Sequence, residues 1–381
     1  MLTILAAAAL YLLLNYYIGR NGLKIFGKNP KSLYRWMFWI LFWIISLSYL
    51  LARIPSKFLP APIGKILNLT GSYWLAFILY SLMIIIFINL IRLADRFFHF
   101  IPAGIKEYKY TSVICVIAVF IIVISILVYG TWNANNPRVQ KYSVNINKNS
   151  SLKYIHAVMV SDIHLGLNSG KSEVDGLKRR IIALHPQIVF VVGDLVDEGI
   201  SGELENYLAA SLSGIKTSYG VFAVMGNHEY YSGQADKLTE VLEKTGINVL
   251  RDKVDKVEDS FYVIGREDKS VEERGGKRAS IKQLVDNLDK DMPLIMLDHQ
   301  PYNLEEAQNC GIDIQLSGHT HKGQIFPLGL ITKLTYELDW GIMKKGSYNV
   351  IVSSGYGTWG PPIRTGNYPE IVDIDISFNK K

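Results

Sequence analysis

Five short apolar runs in this chain each end in side chains that can hold a cation or move a proton. After HAVMV come Ser161, Asp162, Ile163 and His164. After IVFVV come Gly193 and Asp194, with Asp197 close behind. After VFAVM come Gly226, Asn227, His228 and Glu229. PLIML is followed by Asp298 and His299, and IDIQL by Ser317, Gly318, His319, Thr320 and His321. Carboxylates, imidazoles and an amide oxygen suit borderline divalent ions such as Mn2+, Fe2+ or Zn2+. Asp162, His164, Asp194, Asn227, His299, His319 and His321 are too many for one tetrahedral ion. They fit two ions that share a ligand, and two metals roughly 3.5–4 Å apart can clamp a phosphoryl group and activate a water. Asp194 is the natural bridge, because a carboxylate offers one oxygen to each ion. Alternate side chains of an extended segment share a face, so Asp162 can meet one ion together with His164. His319 and His321 in their glycine-flanked turn can enter the site in the same way, one to each ion.

A set of ligands spread over 160 residues needs elements that bring it together. The pattern from about residue 150 predicts strands at 154–160, 188–192, 221–224, 257–264, 294–297, 312–316, 350–352 and 371–376. Helices are expected at 173–184, 203–212, 237–244 and 281–288. Short, almost continuously apolar strands alternating with amphipathic helices define an α/β layered domain whose strands are buried on both faces. In open α/β sheets, sites form beyond the carboxyl ends of the strands, where all five groups of residues fall. His99, His156 and His185 lie outside this pattern and read as structural or surface residues.

The rest of the chain has a different composition. Hydrophobic residues make up 49% of the 381, and the excess lies before about residue 132. Apolar runs at 2–18, 36–52, 73–91 and 111–131 contain no charged side chain. Each approaches the roughly 20 residues that cross a bilayer as a helix, and Trp, Tyr and Arg cluster at their ends. They predict four transmembrane helices over residues 1–132, the first a retained helix rather than a signal peptide, since it lacks a basic leader and small residues at its end. The first loop carries Arg20, Lys24, Lys28, Lys31 and Arg35, and the third Arg92, Arg96, Lys106 and Lys109. The second carries only Arg53, Lys57 and Lys65. This bias places the first and third loops in the cytoplasm, and the C-terminal domain outside. The polar segment NANNPRVQ marks a linker at 133–149, and the soluble domain follows at 150–381. The net charge of +6 fits attraction to membrane lipids rather than a nucleic-acid partner, for no basic stripe with interleaved aromatics occurs in the C-terminal part. Cys115 and Cys310 make no disulfide framework.

The ordered blocks D-x-H, G-D-x-x-D, G-N-H-E, a lone His and G-H-T-H resemble the signature of the calcineurin-like metallophosphoesterase superfamily, over about residues 154–373. GREDKS, LDHQP, GHTHKGQI and GYGTWGPPIRTG resemble, more narrowly, the transmembrane proteins with a metallophosphoesterase domain. The resemblance implies an αββα sandwich with two central sheets, preceded here by the four transmembrane helices. It implies one metal on Asp162, His164, Asp194 and His321, and a second on Asp194, Asn227, His299 and His319. His228 would be a general acid or transition-state stabiliser rather than a ligand, Asp197 would orient it, and Glu229 would support them. Asn227 thereby belongs to both the metal and the catalytic sets. Arg364 in GPPIRTG is either a phosphate contact at the rim or an arginine that fixes a surface loop. The stretch QIFPLGLITKLTY is either core or a lipid-facing wall beside the metals.

These features lead to a membrane-anchored hydrolase of phosphate or pyrophosphate esters, with a lipid-linked substrate. The resemblance includes UDP-2,3-diacylglucosamine-type pyrophosphate hydrolysis, a cytoplasmic chemistry that conflicts with the loop charges. Alternatives are a phosphodiesterase or phosphatase acting on soluble nucleotides or phosphoproteins, and a metal-binding membrane sensor or scaffold without catalysis.

Overall fold

The computed structural model describes residues 2–26, 31–53, 59–167, 169–197 and 200–379. Lys28 and Lys57, counted above among the loop charges, lie outside them. The chain divides into two compact units, one of Met1–Thr131 with Gly360–Pro362 and one of Trp132–Trp359 with Ile363–Lys381.

The first unit is helical, with helices at Leu2–Gly22, Ser32–Leu51, Ala61–Phe98, Ala103–Glu107 and Thr111–Ala134. Among the described residues, three stretches are long and apolar enough to cross a membrane: Ser32–Leu51, Pro62–Phe98 and Thr111–Ala134. The run expected as the first span does fold into the helix Leu2–Gly22, but it is not one of these three. Its second half, with Asn15, Tyr16, Tyr17, Arg20 and Asn21, is more polar than its first. Asn15 is buried and satisfied, donating to Tyr11 O at 2.9 Å and accepting from Trp74 Nε1 at 2.9 Å. The run expected at 73–91 is the middle of a single 38-residue helix, nearly twice the length a bilayer requires.

The second unit is a four-layer sandwich. Its strands are β1 (Arg138–Ile146), β2 (Tyr154–Val160), β3 (Ile188–Val192), β4 (Val221–Val224), β5 (Asn248–Val249) and β6 (Lys253–Val257). β7 (Phe261–Gly265), β8 (Leu294–Leu297), β9 (Ile314–Ser317), β10 (Gly341–Lys345), β11 (Tyr348–Val352) and β12 (Glu370–Phe378) follow. One sheet has the order β1-β12-β2-β3-β4-β5 and the other β10-β11-β9-β8-β7-β6. The alternation of side chains along each strand builds the layers. Val158 and Val160 of β2 and Val189 and Val191 of β3 join a cluster with Leu177, Leu208 and Leu238 of the helices Lys171–Ile182, Gly202–Ser213 and Ala235–Lys244. Their neighbours Met159, Phe190 and Val192 point the other way and meet Val263, Leu297 and Leu316 of the second sheet. The far face of that sheet packs Ile264, Met296 and Val350 against Ile281, Val285 and Leu304. Both faces of the central strands are thus covered, which is why their sequences read as unbroken apolar runs.

Two expectations are corrected here. Residues 133–149 are not a linker, because Arg138–Ile146 forms β1 and pairs in parallel with β12 from Arg138 opposite Glu370 to Ile146 opposite Phe378. β1 is an edge strand and buries only Val144 and Ile146, so RVQKYSVNI needs no apolar run. The strand expected at 257–264 is two strands, β6 and β7, paired antiparallel with Val257 opposite Phe261. Glu258 and Asp259 between them take positive φ values of 49°, as a tight reversal demands.

Candidate metal centre

The parallel strands β2, β3, β4, β8 and β9 all deliver their carboxyl ends to one place, and every ligand expected from the sequence stands just beyond one of them. Three groups of ligand atoms lie within 4.8 Å of one another: Asp162, His164 and His321; Asp194, His299 and His319; and His164, Asp194 and His228. The first two correspond to the two expected ion sites. In the first, His321 Nε2 lies 3.3 Å from Asp162 Oδ1 and 2.9 Å from His164 Nε2. In the second, His299 Nε2 lies 3.1 Å from Asp194 Oδ2, and His319 Nδ1 lies 2.7 Å from Asn227 Oδ1. Asp194 Oδ2 is also 3.7 Å from His164 Nε2, so one carboxylate oxygen faces both groups.

The donor set fits divalent metals on two further observations. His299 donates from Nδ1 to Val192 O at 2.8 Å, which turns Nε2 inward. That Nε2 is fully buried and makes no hydrogen bond of acceptable geometry. Two imidazole nitrogens, of His164 and His321, also face each other in the buried interior. A shared cation would satisfy both nitrogens.

Burial raises the Asp162 carboxyl, and neighbouring Asp194 adds to this. Burial acts on Asp194 as well, but His299 and His164 outweigh it and hold that carboxyl well below the usual range. His164 is pushed up to about 9, since Asp197 overcomes the effect of its burial. His319 is pushed down to about 4 by burial and by His299, which keeps its ring neutral and able to ligate.

The backbone is as specialised as the side chains. Asp162, His164, Asp194, His319 and His321 all have φ between 48° and 69°, a region where residues with a Cβ are strained. Such positions cost of order 1–3 kcal/mol each and persist only where the surroundings fix them. Glu229 supplies part of that fixing. Its buried carboxylate accepts from Asp194 N at 3.1 Å, Val196 N at 3.0 Å and Gly226 N at 2.7 Å, tying the β3 and β4 loops together. Burial, with Asp194 beside it, pushes the Glu229 carboxyl up to about 7 against the hydrogen bonds from Val196 and Gly226. Gly226 and Gly318 permit the close approach, because a Cβ on either would collide with a carboxylate oxygen of Asp194 or Asp162 respectively.

His228 sits at the mouth of the centre. Its Nδ1 is 2.7 Å from Asp197 Oδ1, and its backbone N donates to Asp194 Oδ1 at 2.9 Å. The same Asp197 oxygen is 2.8 Å from His164 Nδ1. Asp197 therefore does more than the expected orientation of His228, since it also turns His164 Nε2 toward the metal position. His228, His164 and Asp194 form the third ligand-like group, so proximity alone does not exclude His228 from ligation.

Arg364 is corrected. It is fully buried, not at the rim. Nε donates to Gly357 O at 3.2 Å, Nη1 to Asn367 Oδ1 at 3.0 Å and Tyr368 O at 3.3 Å, and Nη2 to Gly355 O at 3.1 Å and Gly357 O at 2.7 Å. Nη2 also lies 3.4 Å from His321 Nδ1. With its donors committed, Arg364 locks residues 355–368 against the ligand loop and positions His321. The apolar stretch after His321 is neither simply core nor simply wall: Ile325 is buried, while Phe326, Leu328, Leu330, Ile331 and Leu334 are exposed on and before the helix Gly329–Thr335.

Sequence reasoning missed the aromatic lip. Tyr231 and Trp359 are both exposed, and each ring centroid lies 6.0 Å from that of His228. Tyr336 stands 6.1 Å from His319. Tyr231 follows GNHEY within one helical turn, which was the available signal; the other two are distant in sequence. None of His99, His156 and His185 belongs to a ligand group among the described residues.

A two-sheet sandwich with this array of Asp, Asn and His at its strand ends defines a class, and the comparisons with known proteins agree. The Calcineurin-like phosphoesterase family matches residues 155–323. An Aquifex aeolicus protein named uncharacterized metallophosphoesterase is 37% identical over 246 residues, 63% of this chain and 91% of its own length. The transmembrane protein with metallophosphoesterase domain of Danio rerio is 32% identical over 269 residues, 67% of this chain and 61% of that protein. Among solved structures, a dimetal phosphatase from Danio rerio aligns with a TM-score of 0.34 and 12% identity, covering 54% of this chain and 88% of that one. The chain belongs to the calcineurin-like metallophosphoesterase family.

Proposed function

We propose that this protein is a membrane-anchored, two-metal phosphoesterase that hydrolyses lipid-linked phosphate or pyrophosphate esters. The observation that carries the hydrolytic part is Asp194, whose one oxygen faces both ligand groups while its other fixes the backbone of His228. The two ions, Mn2+, Fe2+ or Zn2+ by ligand type, would neutralise the phosphoryl oxygens and activate water. Asp162, His164, Asp194 and His321 would hold one, and Asp194, Asn227, His299 and His319 the other. His228 stands free of the ligand shell in this reading. With Nδ1 held by Asp197, its Nε2 is turned to give a proton to the leaving oxygen. Glu229 and Arg364 hold the loops so that no reorganisation is needed during the reaction.

The lipid part rests on the exposed Phe326, Leu330, Ile331 and Leu334, which follow the ligand turn within a few residues. An apolar surface there can receive the chain of a substrate whose phosphate reaches the metals. Four spans, including Leu2–Gly22, with the phosphoesterase domain outside, remain the arrangement favoured by the loop charges.

The test uses purified full-length protein, stripped of metal and reloaded with Mn2+, on a small chromogenic phosphodiester, a matched monoester and a prenyl pyrophosphate. The expected result is metal-dependent hydrolysis with preference for the lipid. Replacing Leu330, Ile331 and Leu334 by Ser should reduce lipid turnover more than turnover of the small ester. Absence of hydrolysis with any divalent ion overturns the enzymatic reading, and equal losses on both substrates overturn the lipid reading. A cysteine placed at Asn147 that labels with an impermeant reagent only after lysis overturns the outward orientation.

A further inference from the structure

The helical unit contains a cavity of about 400 Å³ that the phosphoesterase reading does not use. Its lining has two characters. Phe42, Ile45, Trp74, Phe77, Ile85 and Val119 make an apolar interior. Asn21, Lys24, Asn89, Arg92 and Ser112 line it too, and they belong together at one end. Lys24 follows the end of the helix Leu2–Gly22, Arg92 is in the final turns of Ala61–Phe98, and Ser112 opens Thr111–Ala134. Asn89 Nδ2 donates to Tyr17 Oη at 2.8 Å, which sets the first and second of these helices level at this end. Phe77 and Phe120, with centroids 6.2 Å apart, mark the opposite depth. Along the helix, the 15 residues from Phe77 to Arg92 correspond to about 22 Å. One leaflet of hydrocarbon is about 15 Å thick, so the cavity has room for an acyl chain and the polar group above it.

The polar end is cationic and unbalanced. The charged groups that act on Lys24 include Arg92 and Arg20, both of its own sign. Its short-range partner among the described residues is the neutral Asn21 Oδ1, at 2.6 Å. Burial, Arg92 and Arg20 together hold the Lys24 ammonium below its usual range, a cost that an anion at this end would remove. Ser81 stands deeper, four residues from Phe77 along the same helix. It is buried, it lines the cavity, and its hydroxyl has no hydrogen-bond partner. A small apolar ligand would leave the cations unanswered.

We propose that this cavity binds one anionic membrane phospholipid, with an acyl chain between Phe42, Trp74, Phe77 and Val119 and the phosphate at Lys24 and Arg92. Basic pockets between membrane helices recognise anionic headgroups in this way. The site lies wholly within the helical unit and stands whether or not the metal centre hydrolyses a lipid.

The experiment uses the full-length protein in a neutral detergent. It is supplied with mixed micelles of phosphatidylglycerol or of phosphatidylcholine, and retained lipid is counted by native mass spectrometry. One phosphatidylglycerol per chain should remain bound, with phosphatidylcholine lost. Lys24→Gln and Arg92→Gln should each weaken retention about fivefold. Ser81→Leu, which fills the cavity and leaves the cations in place, should also release the lipid, and unchanged helical circular dichroism in all three variants shows that they fold. Equal retention of both lipids, retention of phosphatidylglycerol undiminished in the variants, or a second protein chain in place of the lipid overturns the proposal. Hydrolysis of the small chromogenic ester, measured alongside, should be the same in wild type and all three variants. Loss of that activity in the wild type would refute the enzymatic reading and leave the lipid site standing.

Discussion

The two units of this molecule follow opposite rules. In the helical unit large apolar side chains such as Leu41, Ile44, Phe87 and Ile121 are exposed, while Asn15, Ser46, Ser48 and Ser81 are buried. In the sandwich, Phe190, Phe222 and Phe261 are fully buried, and the outer helices turn charged residues to water. A bilayer solvates leucine as well as another helix does, so the helices gain little by hiding it and associate through packing and a few polar contacts. Water does not, so the sandwich closes around its apolar strands. The consequence is functional. Strain and buried charge concentrate at the strand ends of the sandwich, where a rigid scaffold can hold them, and the helical unit carries no such cluster among its described residues.

The sharpest way to break this contrast is Asp194→Asn. Losing the shared carboxylate should abolish metal-dependent hydrolysis while leaving the thermal unfolding of the domain cooperative. Near wild-type turnover in excess Mn2+ would refute the two-metal arrangement. His228→Asn comes next. Turnover should fall by roughly 10²–10⁴-fold with metal content unchanged. Loss of one ion by metal analysis would instead make His228 a ligand, the role its proximity to His164 and Asp194 allows.

A smaller effect is expected from Asp197→Asn, because an amide can still accept from one imidazole. Activity should drop about 10–100-fold, and metal affinity should fall with it since Asp197 also orients His164. An unchanged metal affinity would confine Asp197 to His228 alone. The smallest effect belongs to the helical unit. Asn15→Leu removes the bond to Trp74 and should cost about 0.6 kcal/mol, and at most roughly 1.7, in unfolding measured in detergent. Hydrolysis of a small ester should be unaltered. A large loss of activity from this change would mean that the two units do not divide the work as described.

Much of the centre was legible beforehand because its chemistry is local. An apolar run followed by Asp-x-His, or by Gly-Asn-His, is a strand and its loop, and both properties belong to adjacent residues. The same holds for the apolar helices, whose length and composition identify a bilayer-crossing segment without reference to anything distant. What the sequence could not determine depends on partners far along the chain. β1 is polar enough to pass for a linker, and becomes a strand only because the edge formed by β12, over 230 residues away, is open to it. Arg364 has the composition of a surface residue, and is buried because four backbone and side-chain acceptors between Gly355 and Tyr368 converge on it. Asp197 gains its second role only when the β2 loop brings His164 within 2.8 Å. The left-handed backbone at Asp162, His164, Asp194, His319 and His321 has no local signature, since these residue types prefer other conformations when free. Residue type and spacing determined which atoms could bind metal. Only the packed sheets, the Glu229 carboxylate across two loops and the burial of Arg364 decided where those atoms point, because holding strained, charged groups together requires contacts from many parts of the chain at once.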